Sequence, residues 1–395
     1  MKNQKNLFSK IFSITVNLAL MLGALALSLY VTDISFKAYL SHEKSVYDKK
    51  CKDFDFNNFA NSRGFSLENA FYKPLDVVQH CGKEWNYTYH IDKNGFRTNG
   101  ESAKSNPILA VGDSFTFGFG VEDNESFTSL LDVKNAGMWG NPFDIQFKSL
   151  QRNVELTHPK VILWGIYPSH IITMMSGEWS KNCPGDTKIL NSKSNPTLLK
   201  LSNLIMKHVI TPLIENSSIF KFIFDKKGIL SIEENSGVIQ IRKNCYQTKE
   251  IILYDKNIAN NNYTSSTEIN RTFKKDLDDV YSKMNEYFTE SKKIAELNNA
   301  EIYFFYIPSK LQLRLKDASY KPNIKNVDID ANLPTDTITN MLINIGYKEE
   351  HIIDLSKYII RSSDWRNLYY KDDAHWNKYG HQFVSEIFKY LLEKK

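Results

Sequence analysis

Three short apolar runs in the chain predict buried strands. They cover Ile108 to Val111, Val161 to Tyr167 and Ile302 to Ile307, and turn-forming or polar residues flank them. Helical patterns follow, with apolar residues at three-to-four spacing between Phe273 and Phe288 and again between Phe383 and Leu391. Strands that alternate with such helices are typical of a mostly parallel sheet covered on both faces. We therefore predict an α/β domain with its functional groups at the carboxyl ends of the strands.

A further apolar run lies near the N-terminus. Residues 11–31 contain no charged residue, and three lysines precede them. A run of this length can cross a bilayer, so we expect a transmembrane helix at 11–31. The lysines favour a cytoplasmic segment at 1–10 and place the rest of the chain beyond the membrane. A cleaved signal peptide is the alternative, because Ala24 and Ala26 resemble a cleavage site, although the apolar run continues past them.

The remaining chain divides into regions of different composition. Residues 32–85 are polar and aromatic with weak periodicity, and we interpret them as a stalk and an N-terminal extension. The main domain is expected at 86–395. Within it, residues 171–267 are rich in Asn, Ser and Lys and break the strand and helix rhythm. This segment is interpreted as an insertion or cap, either a solvated elaboration or a lid over a substrate groove.

Charge and cysteine content narrow the classes of function. The 395 residues carry a net charge of only +5, and the lysines are interleaved with acidic residues, so a nucleic-acid partner is not expected. The even number of cysteines on the exported side predicts disulfides, with free buried thiols as the alternative. Three pairings are open, although Cys51 with Cys81 and Cys183 with Cys245 would each close a local loop. No clustered His and Cys spacing indicates a metal, and no cofactor motif is present.

A serine follows the first predicted strand directly. The sequence there is Gly112-Asp113-Ser114, with Gly118 four residues beyond the serine. Flanking glycines let the backbone turn sharply, and the carboxyl end of a strand is where an open α/β sheet exposes a nucleophile. Considered alone, the segment is better interpreted as a Ser or Asp N-cap of the next helix; the motif described next favours the nucleophile.

A histidine near the other end of the chain supplies the base that a serine nucleophile needs. His375 follows Asp372 and Asp373 and precedes the last predicted helix. Serine reacts only when a base takes its proton, and that base needs an acidic partner to fix its tautomer. A helix cap followed by a surface histidine is the alternative for this segment by itself.

Together these motifs resemble the SGNH/GDSL hydrolase superfamily, especially its membrane-associated bacterial members linked to surface-polysaccharide and alginate-type O-acetylation. The resemblance covers residues 86–170 and 296–394. It rests on Gly-Asp-Ser-x-Thr-x-Gly at 112–118 and Asp-x-His-Trp-Asn-x-x-Gly-His at 373–381, with further matches at 92–97, 135–140 and 307–310. It implies a three-layer α/β/α flavodoxin-like parallel sheet.

The resemblance also implies roles for individual residues. Ser114 would attack an ester carbonyl, and the backbone N–H groups of Ser114 and Gly140 would face the oxyanion. The family normally adds an Asn at the end of the next strand, but here Pro168-Ser169-His170 follows that strand. Ser169 could donate a weaker substitute hydrogen bond, and loss of one donor costs about 3 kcal/mol. His170 is interpreted as structural, with a second base as the alternative.

The acid that partners His375 is expected to be Asp373, because the polysaccharide-modifying branch has the Asp-x-His-Trp form. Asp372 would fit the commoner Asp-x-x-His spacing of the superfamily. The more general spacing therefore remains the alternative.

The expected activity is that of a serine esterase or O-acyltransferase. Its substrates would be acyl esters, with acetyl the expected group, of envelope or extracellular carbohydrate, and the domain would lie in the periplasm, anchored to the inner membrane. Transfer would require a small acyl ester or a partner protein as donor. The rival hypothesis is a non-catalytic carbohydrate-binding or polysaccharide-assembly component that keeps the fold, which the missing Asn favours.

Overall fold

The structure is a computed structural model that divides the chain into two compact units. One contains residues 50–184 and 246–395, and the other contains residues 1–49 and 185–245. The described residues are 28, 31–35, 37–38, 41, 51, 72, 74–82, 84–98, 107–140, 142–175, 231–232, 239–240, 253–259, 268–317, 328–362 and 364–393. In the smaller unit, the described strands β7 (Ser231–Ile232) and β8 (Ile239–Gln240) pair antiparallel.

Eight strands of the larger unit form one mixed sheet, in the order β1-β2-β3-β5-β4-β6-β9-β10. Five of them, from β5 to β10 in that order, run parallel. The strands are β1 (Val77–Cys81), β2 (Asn86–Ile91), β3 (Arg97–Thr98), β4 (Ile108–Gly112), β5 (Lys134–Gly137), β6 (Val161–Ile166), β9 (Glu301–Tyr306) and β10 (Ile352–Asp354).

Helices cover both faces of this sheet. They are α1 (Ser114–Phe117), α2 (Phe127–Leu130), α3 (Phe143–Thr157), α4 (Ser169–Met174), α5 (Lys256–Ala259), α6 (Glu268–Leu297), α7 (Lys310–Lys316), α8 (Leu333–Ile345), α9 (Ser356–Ile359) and α10 (Lys378–Glu393). The α/β prediction is confirmed, and the three predicted strands match β4, β6 and β9 to within one residue at each end.

Alternation along the strands separates two hydrophobic cores. Trp164 of β6 faces one side and packs with Phe143 of α3 and Phe288 of α6. Its neighbour Leu163 faces the opposite side, in the core formed by α2, α9 and α10. Successive side chains in a strand point to opposite faces, so an all-apolar strand can serve both layers. The result is a three-layer α/β/α arrangement.

The sheet is not wholly parallel, because β1, β2 and β3 pair antiparallel at one edge. The turn between β1 and β2 is tight, with the N–H of Gly82 donating to the carbonyl of Trp85 at 2.8 Å. A connection this short can join only antiparallel strands. The predicted boundary between an extension at 32–85 and a domain at 86–395 falls inside this hairpin, and the sheet begins at Val77. The weak periodicity of Val77–Cys81, which includes Gln79 and His80, explains the difference.

Several expectations concern residues outside the described ranges. The predicted transmembrane segment at 11–31 has only residues 28 and 31 described, and the segment at 171–267 is described only in part. Among the described residues, no helix is both long enough and apolar enough to span a bilayer. Cys51 and Cys81 form a disulfide with a Cα–Cα distance of 5.7 Å, whereas Cys183 and Cys245 lie outside the described residues.

Candidate active site

The serine of the first motif lies at the carboxyl end of β4. Asp113 is fully buried and caps α1, because its Oδ1 accepts the N–H of Phe115 at 2.9 Å. Ser114 is the first residue of that helix. The N-cap interpretation of this segment is therefore confirmed, and the nucleophile interpretation stays a prediction. Asp113 provides the N-cap, and the cap fixes the backbone that presents Ser114.

The structure brings the three predicted catalytic residues together. The Oγ of Ser114 lies 2.7 Å from Nε2 of His375, across a sequence separation of 261 residues. On the other side of the ring, Nδ1 of His375 lies 2.6 Å from Oδ1 of Asp373. A serine, a histidine and a carboxylate joined in this order are the geometric signature of an activated serine.

Asp373, and not Asp372, is the acid in contact with His375. Its Oδ1 also accepts the backbone N–H of His375 at 2.9 Å. Burial opposes ionisation of Asp373, but the hydrogen bonds from His375 outweigh it and lower the pKa of the carboxyl. Asp372 is exposed, and its backbone N–H is bound by another residue. The local geometry therefore fits the Asp-x-His-Trp form.

The loop that carries the acid and base is held from outside by Glu84, in the turn between β1 and β2. Its two carboxylate oxygens accept the consecutive backbone N–H groups of Lys371 and Asp372, each at 2.7 Å. A cation binds the same stretch of backbone, because Nζ of Lys310 donates to the carbonyls of Tyr370 and Lys371. Burial lowers the pKa of Lys310. The backbone just before Asp373 is thus fixed by one anion and one cation.

Aromatic rings surround His375, the candidate base. The ring of Phe119 lies 4.6 Å from that of His375, and the ring of Phe115 lies 4.9 Å from it. Trp85, from the same turn as Glu84, packs against Phe119 at 5.2 Å and against Tyr370 at 5.2 Å. The edge hairpin therefore forms part of the wall beside the site.

The residues after His375 secure it to the last helix. Trp376 is fully buried and contacts Phe115 edge-on at 4.9 Å. Oδ1 of Asn377 accepts the N–H of Tyr379 at 2.9 Å at the start of α10. His381 is buried, and burial together with the nearby charges of Arg97 and His375 lowers its pKa to about 3. These contacts fix the backbone on the C-terminal side of His375.

Arg97, the last residue of the 92–97 match, binds the backbone that follows Ser114. Its side chain is buried and donates to the carbonyls of Phe117, Gly118 and Val121, which follow Ser114 in the chain. Nε of Arg97 lies 2.8 Å from Oδ1 of Asp123. A guanidinium with several fixed donors suits such a position, so the match at 92–97 contributes a structural residue here.

The match at 135–140 covers most of β5 and the turn after it, beside Ser114. Gly137 lies so close to α1 that an added Cβ would be 2.3 Å from the N of Phe117, so only glycine fits. The N–H of Met138 donates to the carbonyl of Gly112 at 2.9 Å, which continues the pairing toward Ser114. Gly140 has a φ of 74° in an exposed turn, with nothing within 4 Å of an added Cβ. Gly140 and Ser114 therefore both follow the carboxyl ends of neighbouring parallel strands, and Gly140 is exposed.

A chain of buried polar side chains lies beside the end of β6, where Pro168-Ser169-His170 follows the strand. The indole N–H of Trp164 donates to Oε1 of Gln146 at 3.1 Å, and since an indole can only donate, the amide nitrogen of Gln146 faces Nδ1 of His170 at 3.0 Å. Nδ1 must then accept, and the proton resides on Nε2, which lies 3.6 Å from Oδ2 of Asp113.

The titration of this pair follows from its surroundings. Burial lowers the pKa of His170 and raises that of Asp113, and both shifts favour the neutral pair. The two ring nitrogens of His170 thus face Gln146 and Asp113, which fits the interpretation of His170 as a structural residue. Ser169 is the first residue of α4, and its side chain lies outside the described part of the chain.

Comparison with known proteins adds little. No family model and no curated protein matches the chain. One crystal structure aligns with 74% of this chain and 99% of its own, at 13% identity and a TM-score of 0.33. At that TM-score, the alignment carries no argument about fold or function.

Proposed function

We propose that this chain is a serine esterase or O-acyltransferase of the SGNH type. The single observation that supports this most is the continuous hydrogen-bonded path from Ser114 through His375 to Asp373, with distances of 2.7 and 2.6 Å. The position of the serine after a central parallel strand, and of the histidine just before the last helix, agrees with the resemblance of the motifs.

In the first half of the reaction, Oγ of Ser114 attacks the ester carbonyl while Nε2 of His375 takes its proton. The ionised carboxylate of Asp373 stabilises the imidazolium that forms. The tetrahedral intermediate then collapses, and His375 returns the proton to the leaving alcohol oxygen. The products of this step are the free alcohol and an acyl ester on Ser114.

In the second half, an acceptor hydroxyl attacks the acyl ester while His375 takes its proton. The proton then returns to Oγ of Ser114 as the ester bond to the enzyme breaks. Water as acceptor gives hydrolysis, and a sugar hydroxyl gives transfer. The proposed substrates are acyl esters, with acetyl the expected group, of envelope or extracellular carbohydrate, and a small acyl ester or a partner protein would supply the acyl group for transfer.

Backbone N–H groups are the proposed stabilisers of the oxyanion. The first N–H groups of a helix have no partner within that helix, and Ser114 begins α1. Gly140 supplies a second donor from the turn after β5, the strand that pairs with β4. Each such donor can contribute about 100-fold or more in rate.

The test of activity uses p-nitrophenyl acetate and a serine-directed fluorophosphonate. We expect turnover by the full chain, and a covalent adduct that Ser114→Ala abolishes together with activity, by a factor on the order of 10³ or more. Ser129→Ala is the control, because Ser129 lies in α2, away from the base. If the wild-type chain shows neither turnover nor adduct while it binds polysaccharide, the rival binding function replaces this one.

The location proposed for this enzyme is the inner membrane, with the catalytic unit in the periplasm. The uncharged run at 11–31 and the preceding lysines support it. Protease added outside the inner membrane should digest the chain after residue 33 and spare the extreme N-terminus. A mature chain that begins near Leu27 would show instead that the segment is a cleaved signal.

A further inference from the structure

Asp113, the residue directly before Ser114, is fully buried, and one of its two carboxyl oxygens lacks a hydrogen bond. Oδ1 accepts the N–H of Phe115 at 2.9 Å, whereas no group in the described part of the chain has hydrogen-bonding geometry to Oδ2. Nε2 of His170 lies 3.6 Å from this oxygen. A carboxyl oxygen can accept whether or not the acid is ionised, and a buried polar atom without compensation is costly. An N–H group on Nε2 therefore stabilises the orientation of the Asp113 side chain.

The proton of His170 is placed on Nε2 by the residues on the other side of the ring. Trp164 donates to Oε1 of Gln146, which turns the amide NH₂ group of Gln146 toward Nδ1 at 3.0 Å. A proton on Nδ1 would set two donors against each other. His170 thus carries its single proton on Nε2 and directs it at Asp113.

Asp113 in turn fixes the backbone that presents the nucleophile. Besides the side-chain cap, its carbonyl oxygen accepts the N–H of Phe117 at 2.8 Å, so Asp113 binds the first turn of α1 twice. One side of that turn is packed tightly on β5, because an added Cβ at Gly137 would lie 2.3 Å from the N of Phe117. Ser114 begins this turn, and its Oγ lies 2.7 Å from Nε2 of His375. A change in the Asp113 side chain is therefore expected to move Oγ relative to His375.

We propose that His170 is a positioning residue for Ser114: its Nε2–H group holds the side chain of Asp113, and Gln146 keeps the proton on that nitrogen. His170 transfers no proton in this role, because both ring nitrogens face protein groups. The proposal rests on the proposed serine chemistry, and it adds a residue that acts on the nucleophile without touching the substrate.

Two substitutions of His170 separate the roles of its ring nitrogens. The amide nitrogen of Gln reaches the position of Nε2 and can donate to Asp113, whereas the shorter Asn reaches only the position of Nδ1. His170→Asn should lower kcat for p-nitrophenyl acetate by about 10- to 100-fold, since a displacement of about 1 Å can cost this much. KM should stay within about twofold, because only the approach of Oγ changes. His170→Gln should recover most of kcat.

His351→Asn is the matched control for the loss of a buried ring. His351 is also a buried histidine, packed against the ring of Tyr303 at 4.2 Å. It precedes β10, at the amino ends of the parallel strands, whereas Ser114 follows the carboxyl end of β4. The control should unfold at lower denaturant concentration than wild type, and its kcat should stay within about twofold.

Nuclear magnetic resonance supplies a readout that does not depend on turnover. In full-length protein labelled with ¹⁵N-histidine, long-range ¹H–¹⁵N spectra distinguish the two tautomers, and each ring is assigned by the signal that its variant loses. His170 should show the Nε2–H tautomer at neutral pH. Burial lowers the pKa of His170, with Asp113 raising it and His375 lowering it, so its titration should lie below the ordinary range. The Nε2 resonance of His375, which reports the bond from Ser114, should move in His170→Asn and not in His170→Gln.

Three results would overturn the proposal. They are a kcat of His170→Asn equal to that of wild type, an equal loss of kcat in the Asn and Gln variants, or a His170 ring that carries its proton on Nδ1. The proposed enzyme function fails separately, if the wild-type chain neither turns over p-nitrophenyl acetate nor reacts with the fluorophosphonate. In that case the tautomer of His170 and the resonance of His375 still decide the positioning role.

Discussion

Glu84 offers the sharpest test of how the loop that carries Asp373 and His375 is held in place. In the wild type, each carboxylate oxygen of Glu84 accepts one backbone N–H, from Lys371 or Asp372, at 2.7 Å. Replacement by Gln keeps one of these acceptor oxygens and places an amide NH₂ group against the other N–H. Two hydrogen bonds to a charged group become one neutral bond and one repulsive contact. A charged bond contributes about 1.5–3 kcal/mol and a neutral one about 1 kcal/mol.

The expected loss is smaller than the sum of these values, because Glu84 is partly exposed and solvent screens its charge. We expect about 1–2 kcal/mol. If this loss applies to the conformation that places Asp373 and His375 correctly, kcat falls by about 5- to 30-fold. KM for a small ester should change little, because Glu84 accepts from the loop backbone and not from the proposed ester position.

The assay is steady-state hydrolysis of p-nitrophenyl acetate, together with the rate of fluorophosphonate labelling and the thermal midpoint. Glu84→Asp should recover part of kcat. Glu122→Gln is the matched control, since Glu122 also accepts a backbone N–H of the hairpin, from Thr88 at 3.0 Å, without contacting the catalytic loop. A Glu84→Gln protein whose kcat and labelling rate stay within twofold of wild type would refute the positioning role.

Two further predictions concern the acid and a buried histidine. Asp373→Ala should lower kcat by roughly 10⁴-fold while Asp372→Ala costs little, and kinetics with the opposite ranking would show that Asp372 is the partner. The pKa of His381 is lowered to about 3 from its ordinary 6.5, so the unfolded chain binds a proton that the folded chain does not. The stability due to the neutral ring is complete above pH 6.5 and is lost as pH falls, by about 1.4 kcal/mol per unit. Denaturant unfolding should therefore show a steeper loss for wild type than for His381→Gln, and parallel pH curves would contradict the shift.

The residues of the candidate site, Ser114, Asp373 and His375, could be found in the sequence because each lies in a local pattern. A serine after an apolar strand and an Asp-x-His before a helical repeat can be found in short windows of sequence, and the structure joins them at hydrogen-bonding distance. The central strands were predictable for the same reason, since β4, β6 and β9 are nearly continuous apolar runs.

The supporting residues could not be predicted from such windows. Glu84 is one carboxylate in a polar turn, and its partners are backbone groups 287 and 288 residues away. Gln146 lies on the inner side of an amphipathic helix, and only the folded structure shows that it links Trp164 to His170. The edge hairpin was missed because β1 is five residues long and its alternation includes polar side chains.

The distance along the chain between Ser114 and His375 has a consequence for biosynthesis. The ribosome completes the serine 261 residues before the histidine, which at 5–20 residues per second is a delay of about 13–50 s. During that time the serine has no base, and the nascent chain cannot form an acyl ester on it. The proposed activity therefore becomes available only after the segment that carries Asp373 and His375 has been synthesised.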